Sequence, residues 1–144
     1  MSELLDRLKR DLTTARRDRD KQRILLISMT LSEVKNLQIE LGREPTDADV
    51  TEVVGRAVKR RREAAEQIRN AGRSEMADRE EAEAVILTTY LPEQLTEDEV
   101  RELVRAAVGG GASNVGAVMA VVMPRLKGRF DGREANRIVR EELA

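Results

Sequence analysis

The chain contains neither cysteine nor histidine. The first absence rules out disulfides, thiolate nucleophiles and thiolate metal sites. The second removes the commonest general base and the commonest transition-metal ligand. Aromatic side chains are almost missing too, with Tyr90 and Phe130 standing alone. Aliphatic residues and alanine must then fill the core, which suits helices packed ridge into groove. No apolar run approaches the ~20 residues that a membrane span needs, and the N-terminal stretch lacks the apolar centre of a secretion signal. The expectation is a soluble, cytoplasmic protein with no membrane partner, no metal and no cofactor. Net charge is only −1, so any nucleic-acid reading has to rest on local clustering.

What is present is charge and helical periodicity. Charged residues make up 37% of the 144 residues and apolar ones 40%, a mixture that favours long helices with paired surface charges. Ser2 can cap a first helix whose apolar face is Leu4, Leu5, Leu8, Leu12 and Ala15. After the polar break Asp18-Arg19-Asp20, Ile24, Ile27, Leu31, Val34 and Gln38 line one side of a second helix, flanked by Leu25, Leu26, Leu37 and Leu41. That stripe is wide, which predicts a central helix covered on more than one side. Gly42 stops it. Thr46 caps a third helix, with Asp47 and Asp49 placed to favour its dipole, and this helix runs to about Gly72. A fourth is expected from about Met76 to Thr89, with Ala82, Val85, Ile86 and Thr89 inward.

Pro92 cannot continue a helix and restrains Leu91 before it. Leu91 and Pro92 are therefore read as a hinge. Beyond it, Thr96 and Glu99 form an expected capping box, Gly109-Gly110-Gly111 ends a short helix, and Ser113 is placed as the cap of the next. Pro124 marks roughly where that helix ends, and Asp131-Gly132-Arg133-Glu134 opens the last. Nothing reads as a strand. The predicted fold is all-α: an N-terminal bundle of about four helices over residues 1–90 and a small lobe of three short helices over 91–144.

The motifs Tyr90-Leu91-Pro92-x-Gln94-Leu95, Gly116-x-Val118-Met119, Met123-Pro124-x-x-Lys127-Gly128-Arg129-x-Asp131-Gly132 and Asn136-x-Ile138-Val139 together resemble the YqeY family. Lys35-Asn36-x-x-Ile39-Glu40, Lys59-Arg60-Arg61 and Ala71-Gly72-Arg73 agree with it. Ser28 departs from the pattern, standing where a basic residue is expected. The resemblance spans essentially the whole chain. The family is similar to the C-terminal tail domain of the B subunit of glutamine-dependent aspartyl/glutamyl-tRNA amidotransferase. It therefore implies an all-helical, two-lobed fold, a tail that touches tRNA, and association with carbon–nitrogen ligase chemistry that uses glutamine as amide donor. Such kinship is an analogy of fold, and activity has to be argued from a site.

Between Ala112 and Arg140 there are six cations and two acids. Arg133, Arg137 and Arg140 recur at i, i+4 and i+7, one helix face with Asn136 beside it. Arg125, Lys127 and Arg129 precede them. Gly128 would let the turn backbone approach a phosphate, and the next helix start offers N–H groups. The candidate RNA-binding residues are thus Arg125, Lys127, Gly128, Arg129, Arg133, Asn136, Arg137 and Arg140. From charge alone the solvated-surface reading of this face comes first, with Gly128 and Gly132 serving only turns. The tRNA reading draws its weight from the resemblance. The run Lys59 to Arg62 is spread around a helix and reads as solvated surface, whereas Met119 and Met123 read as core.

No catalytic constellation is visible. Ser2, Ser28, Ser32, Ser74 and Ser113 are cap-like or on helix surfaces, with no activating base or oxyanion donors around them. Gly109-Gly110-Gly111 lacks the Lys-Ser/Thr of a phosphate loop. The expected function is an accessory tRNA-binding module without its own catalytic site, partnered by tRNA and by a tRNA amidotransferase or synthetase. The alternative is a protein–protein interaction module that regulates a translation-related enzyme.

Overall fold

A computed structural model describes residues 2–144. Among them there are seven α-helices and no strand: α1 (Glu3–Arg17), α2 (Lys21–Leu41), α3 (Asp47–Asn70), α4 (Ser74–Thr88), α5 (Glu97–Gly109), α6 (Val115–Leu126) and α7 (Gly132–Leu143). The chain forms two compact units that meet in sequence between Leu91 and Pro92.

In the first unit each helix starts on a side-chain cap except α4. The Ser2 hydroxyl accepts the Leu5 N–H at 3.1 Å and donates to the Asp47 carboxylate, so the start of α1 is tied to the start of α3. The Ser2 hydroxyl, followed by the Leu4 amide, holds the Asp47 carboxyl below the usual carboxylate range. Asp20 caps α2 through the Arg23 N–H, and Gly42 ends it at φ 68°, a left-handed conformation that costs glycine nothing. Thr46 and Asp49 complete a reciprocal capping box on α3. Arg43 lies 2.7 Å from Asp49 and, with the Thr46 amide, holds its carboxyl down at about 2.

The central helix is α3, which contacts α1, α2 and α4. This corrects the expectation that α2 is central. Only one side of α2 is covered, through Leu26, Ile27, Thr30 and Val34. Leu25 is 62% exposed and Ile39 70% exposed, because α2 is apolar around its circumference while only α1 and α3 lie against it. The inward face of α4 is also corrected. Ala77, Ala84 and Leu87 are buried, whereas Val85 is exposed. Small alanines let α4 approach the alanine-bearing face of α3, where Ala57 and Ala65 are buried. Burial favours close packing there over the larger side chain next door. Tyr90 is buried under Arg7, whose guanidinium carbon is 4.5 Å from the ring centroid, and its hydroxyl donates to Asp11. Burial first, then the Asp11 carboxylate, pushes the phenol pKa up.

In the second unit α5, α6 and α7 enclose Val100, Val104, Val118, Val122, Leu126, Ala135, Ile138 and Val139, with Met119, Met123 and Phe130 packed around them. Asn114 caps α6 by accepting the Ala117 N–H at 2.8 Å; the expected cap, Ser113, lies one residue too early. The helix runs past Pro124 to Leu126, since proline in a last turn removes only one N–H. On α5 the Thr96 hydroxyl takes the Glu99 N–H. The Glu99 carboxylate answers to that same hydroxyl rather than to a backbone amide.

Candidate nucleic-acid interface

The candidate residues occupy the last turn of α6, the α6–α7 turn and α7. Gly128 sits at φ 76°, so the turn needs a residue that tolerates the left-handed region. Lys127 N–H donates to Met123 at 3.0 Å, Arg129 N–H to Leu126 at 2.8 Å and Phe130 N–H to Leu126 at 3.0 Å. The turn thus spends these three amides internally. Asp131 lays its own carboxylate on the α7 start, accepting the Arg133 N–H at 3.0 Å. A negative charge stands where an open anion-binding end was expected.

The outer edge of the turn is bound to the segment after Pro92. The Gln94 side-chain amide donates to Gly128 O and to Pro92 O, both at 2.9 Å. Leu95 N–H donates to Arg129 O at 2.9 Å, and Arg129 Nε donates to Glu93 O at 3.0 Å. Residues 92–95 therefore form a strap across the Lys-Gly-Arg turn. Two motifs more than thirty residues apart in sequence are one structural device. Gln94 carries it, and sequence reasoning gave it no role. Leu91, placed at the expected hinge, packs on the core of the first unit.

Arg137 is fully engaged. It lies 2.7 Å from Glu141, 2.8 Å from Glu134 and 3.2 Å from Glu97. Arg101 reaches Glu97 at 2.8 Å, Glu141 at 2.5 Å and Glu142 at 3.1 Å, and Arg105 reaches Glu142 at 3.0 Å. This network joins α5 to α7. Arg101, then Arg137, holds the Glu97 and Glu141 carboxyls down; Arg105, then Arg101, does so for Glu142. Their folded pKa values lie below the ordinary 4.5. Their contribution to stability is therefore complete above that value and is lost as pH falls through the folded values. The second unit is expected to lose thermal stability between about pH 5 and about pH 3, an effect weakened by salt because most of the pairs, Arg101–Glu142 apart, are open to solvent. Melting curves of the protein with Glu97, Glu141 and Glu142 changed to Gln should show a flatter pH profile; an identical profile would refute the role of the network.

Four candidates keep unpaired side chains: Arg125, Lys127, Arg133 and Arg140 are exposed and enter no ion pair among the described residues. Arg133 and Arg140 sit on one face of α7, about 10 Å apart along its axis. Asn136 is half-buried beside them. Residues 92–144 hold eight cations and nine acids, so the unit as a whole is not basic. Its unpaired cations fall instead on the last turn of α6, the turn after it and α7. The run Lys59 to Arg62 is spread around α3, as its periodicity requires. Arg60 pairs with Glu33 at 2.6 Å, and Arg61 turns inward to Glu83.

A two-unit protein, all-helical among the described residues, with a strapped turn and exposed cations around it, defines a class of helical modules; none of the described helices is long and apolar enough to cross a membrane. Within it, this chain belongs to the YqeY-like protein family, whose model matches residues 5–143. It is 31% identical over 131 residues to the "Altered inheritance of mitochondria protein 41, mitochondrial" of Pyrenophora tritici-repentis, covering 88% of this chain and 72% of that one. It is 30% identical over 86 residues to an uncharacterized protein of Schizosaccharomyces pombe, covering 60% and 70% of the two chains.

Proposed function

We propose that the chain is an accessory RNA-binding module, with tRNA as its ligand, acting beside tRNA-dependent amide transfer without a catalytic site of its own. The observation that supports this reading is the set of four unpaired cations, Arg125, Lys127, Arg133 and Arg140, carried by the last turn of α6, the turn after it and α7. Such cations release counterions on meeting phosphate. Arg129 and Arg137 lie in the same stretch of chain as positioning residues, held by Glu93 O and by the acids of α5 and α7. Gly128 shapes the turn, Asn136 flanks it, and the Leu91–Pro92 junction serves as the hinge. Resemblance to the amidotransferase tail is what selects tRNA among RNAs and names the amidotransferase, or a synthetase, as the partner.

The test is titration with bulk tRNA at several salt concentrations. Changing Arg125, Lys127, Arg133 and Arg140 to Gln should lower the slope of log affinity against log salt by roughly 0.7–0.9 for each phosphate that is no longer neutralised. Wild-type protein that ignores tRNA at low salt, or a variant with unchanged slope, refutes the reading. A second reading, a protein-docking module, is favoured by the exposed Leu25, Met29 and Ile39 on the outer side of α2. A nuclease-resistant protein complex dissociated by Leu25→Glu would support it.

A further inference from the structure

The strongest cluster of unpaired charge in the molecule lies outside that stretch of chain. Residues 7–23 hold eight cations and three acids. Two of the acids are already occupied: Asp11 by Arg7 and the Tyr90 hydroxyl, Asp20 by Arg23 and by capping α2. Lys9, Arg10, Arg16, Arg17, Arg19 and Lys21 are all exposed and enter no ion pair among the described residues. Asp18 remains beside them, as does Asp6 one turn before Lys9 and Arg10. Attraction to the negative end of the α1 dipole accounts for Arg16 and Arg17 in its last turn. It does not account for Lys9 and Arg10, which lie two turns earlier, and dipole effects fade within one turn.

The geometry makes these residues a surface. Lys9 and Arg16, and Arg10 and Arg17, are each seven residues apart, so they form two adjacent rows along one side of α1, with about 10 Å between the cations of a row. Arg19 takes a left-handed turn at φ 56°, and Lys21 follows at the first residue of α2, extending the rows around the corner. We propose that this α1–α2 corner of the first unit is a second polyanion-contact surface, fitted to the phosphate backbone of RNA, so that RNA engages both units of the chain. The RNA reading above supplies the choice of RNA; the cationic surface stands on its own geometry.

Two features favour RNA over a lipid surface. Four of the six cations are arginine, whose planar fork matches a phosphate's oxygens in pairs. The apolar side of α1 is committed to the interior, with Leu8 buried and Leu4, Leu5 and Leu12 packed on the core, so no apolar residue of α1 stands among the cations to enter a bilayer.

The full chain is titrated with bulk tRNA across a salt series, with phosphatidylserine vesicles and polyglutamate as separate probes. Two variants are compared: the four-site change Lys9→Gln, Arg10→Gln, Arg16→Gln and Arg17→Gln, and the mid-helix pair Lys9→Gln with Arg10→Gln, which spares the end of α1 and keeps the test valid if the larger variant fails to fold. The expected result is a roughly tenfold or larger loss of tRNA affinity at low salt for the four-site variant, a slope lowered by about 2–3, and about half that change for the pair. Unchanged affinity and slope in the pair and the four-site variant overturn the inference. So does binding to vesicles or polyglutamate that is lost in the variants while tRNA binding stays intact. The variant at Arg125, Lys127, Arg133 and Arg140 separates the two surfaces. If it binds normally while the α1 variants fail, the corner stands and the second-unit reading falls; the opposite pattern overturns the corner.

Discussion

Changing Ile138 to alanine is expected to unfold the second unit and leave the first standing. Ile138 is fully buried among Val100, Val104, Val118, Val122 and Leu126. Truncating such a side chain costs about 2–5 kcal/mol, the lost transfer energy plus the cavity left behind. A core of this size supplies only about 3–5 kcal/mol of net stability, and here its one aromatic, Phe130, is merely half-buried. The α5–α7 ion network cannot make up the loss, because all its members but Arg101 and Glu142 are open to solvent and screened. Residues 2–91 have their own core around Val50, Val54, Ala57 and Leu87, so they should keep their transition. Calorimetry combined with amide exchange read unit by unit checks this. One shared transition in the variant would show that the two units fold as one. A variant with both units intact and little changed would show that the second unit does not depend on filling this part of its core.

Changing Glu83 to alanine should destabilise the first unit by about 2–3 kcal/mol. The Arg61 side chain is 10% exposed, with its Nε 3.3 Å from Glu83 and one further bond, from Nη1 to Ala57 O at 3.2 Å. Removing one member of a buried pair strands the other charge, which costs about 3–5 kcal/mol at full burial. Glu83 is 26% exposed, so water relieves part of that cost. Replacing both residues by apolar ones, Arg61→Met with Glu83→Leu, should return most of the stability, since neither charge is then stranded. Urea unfolding of the single and double variants measures the difference. A double variant as unstable as the single one would assign the loss to helix packing instead of to the stranded guanidinium.

Much of the architecture is legible in the sequence because it is local. Caps depend on a side chain two or three residues from the amide it serves, so Ser2, Thr46 and Thr96 could be placed from spacing. Periodicity marked the inward face of α1 as Leu4, Leu5, Leu8, Leu12 and Ala15, because that helix has one apolar side. On α2 it found Ile27, Leu31 and Val34 but mistook a broad apolar stripe for a helix covered on more than one side, and on α4 it found Ile86 but turned Ala82, Val85 and Thr89 inward, which are exposed. Their inward side is set by which neighbours reach them. Ser113 and Asn114 are adjacent residues with the same capping chemistry, and packing of Val115 and Val118 chose between them.

The candidate site divides along the same line. Charge counted along the chain locates Arg125 to Arg140, and the excess of cations over residues 7–23 is just as local a property. Such a count cannot say which cations are free. Arg137 became a cross-brace only because α5 brings Glu97 against α7, and Arg129 became part of a strap only because residues 92–95 fold back on the turn. The sequence by itself determined the helices, most of their caps and the family. The tertiary structure decided which charges meet: ion pairing acts over a few ångströms of space, and the partners of Arg137, Arg61 and Gly128 lie from three to forty residues away along the chain.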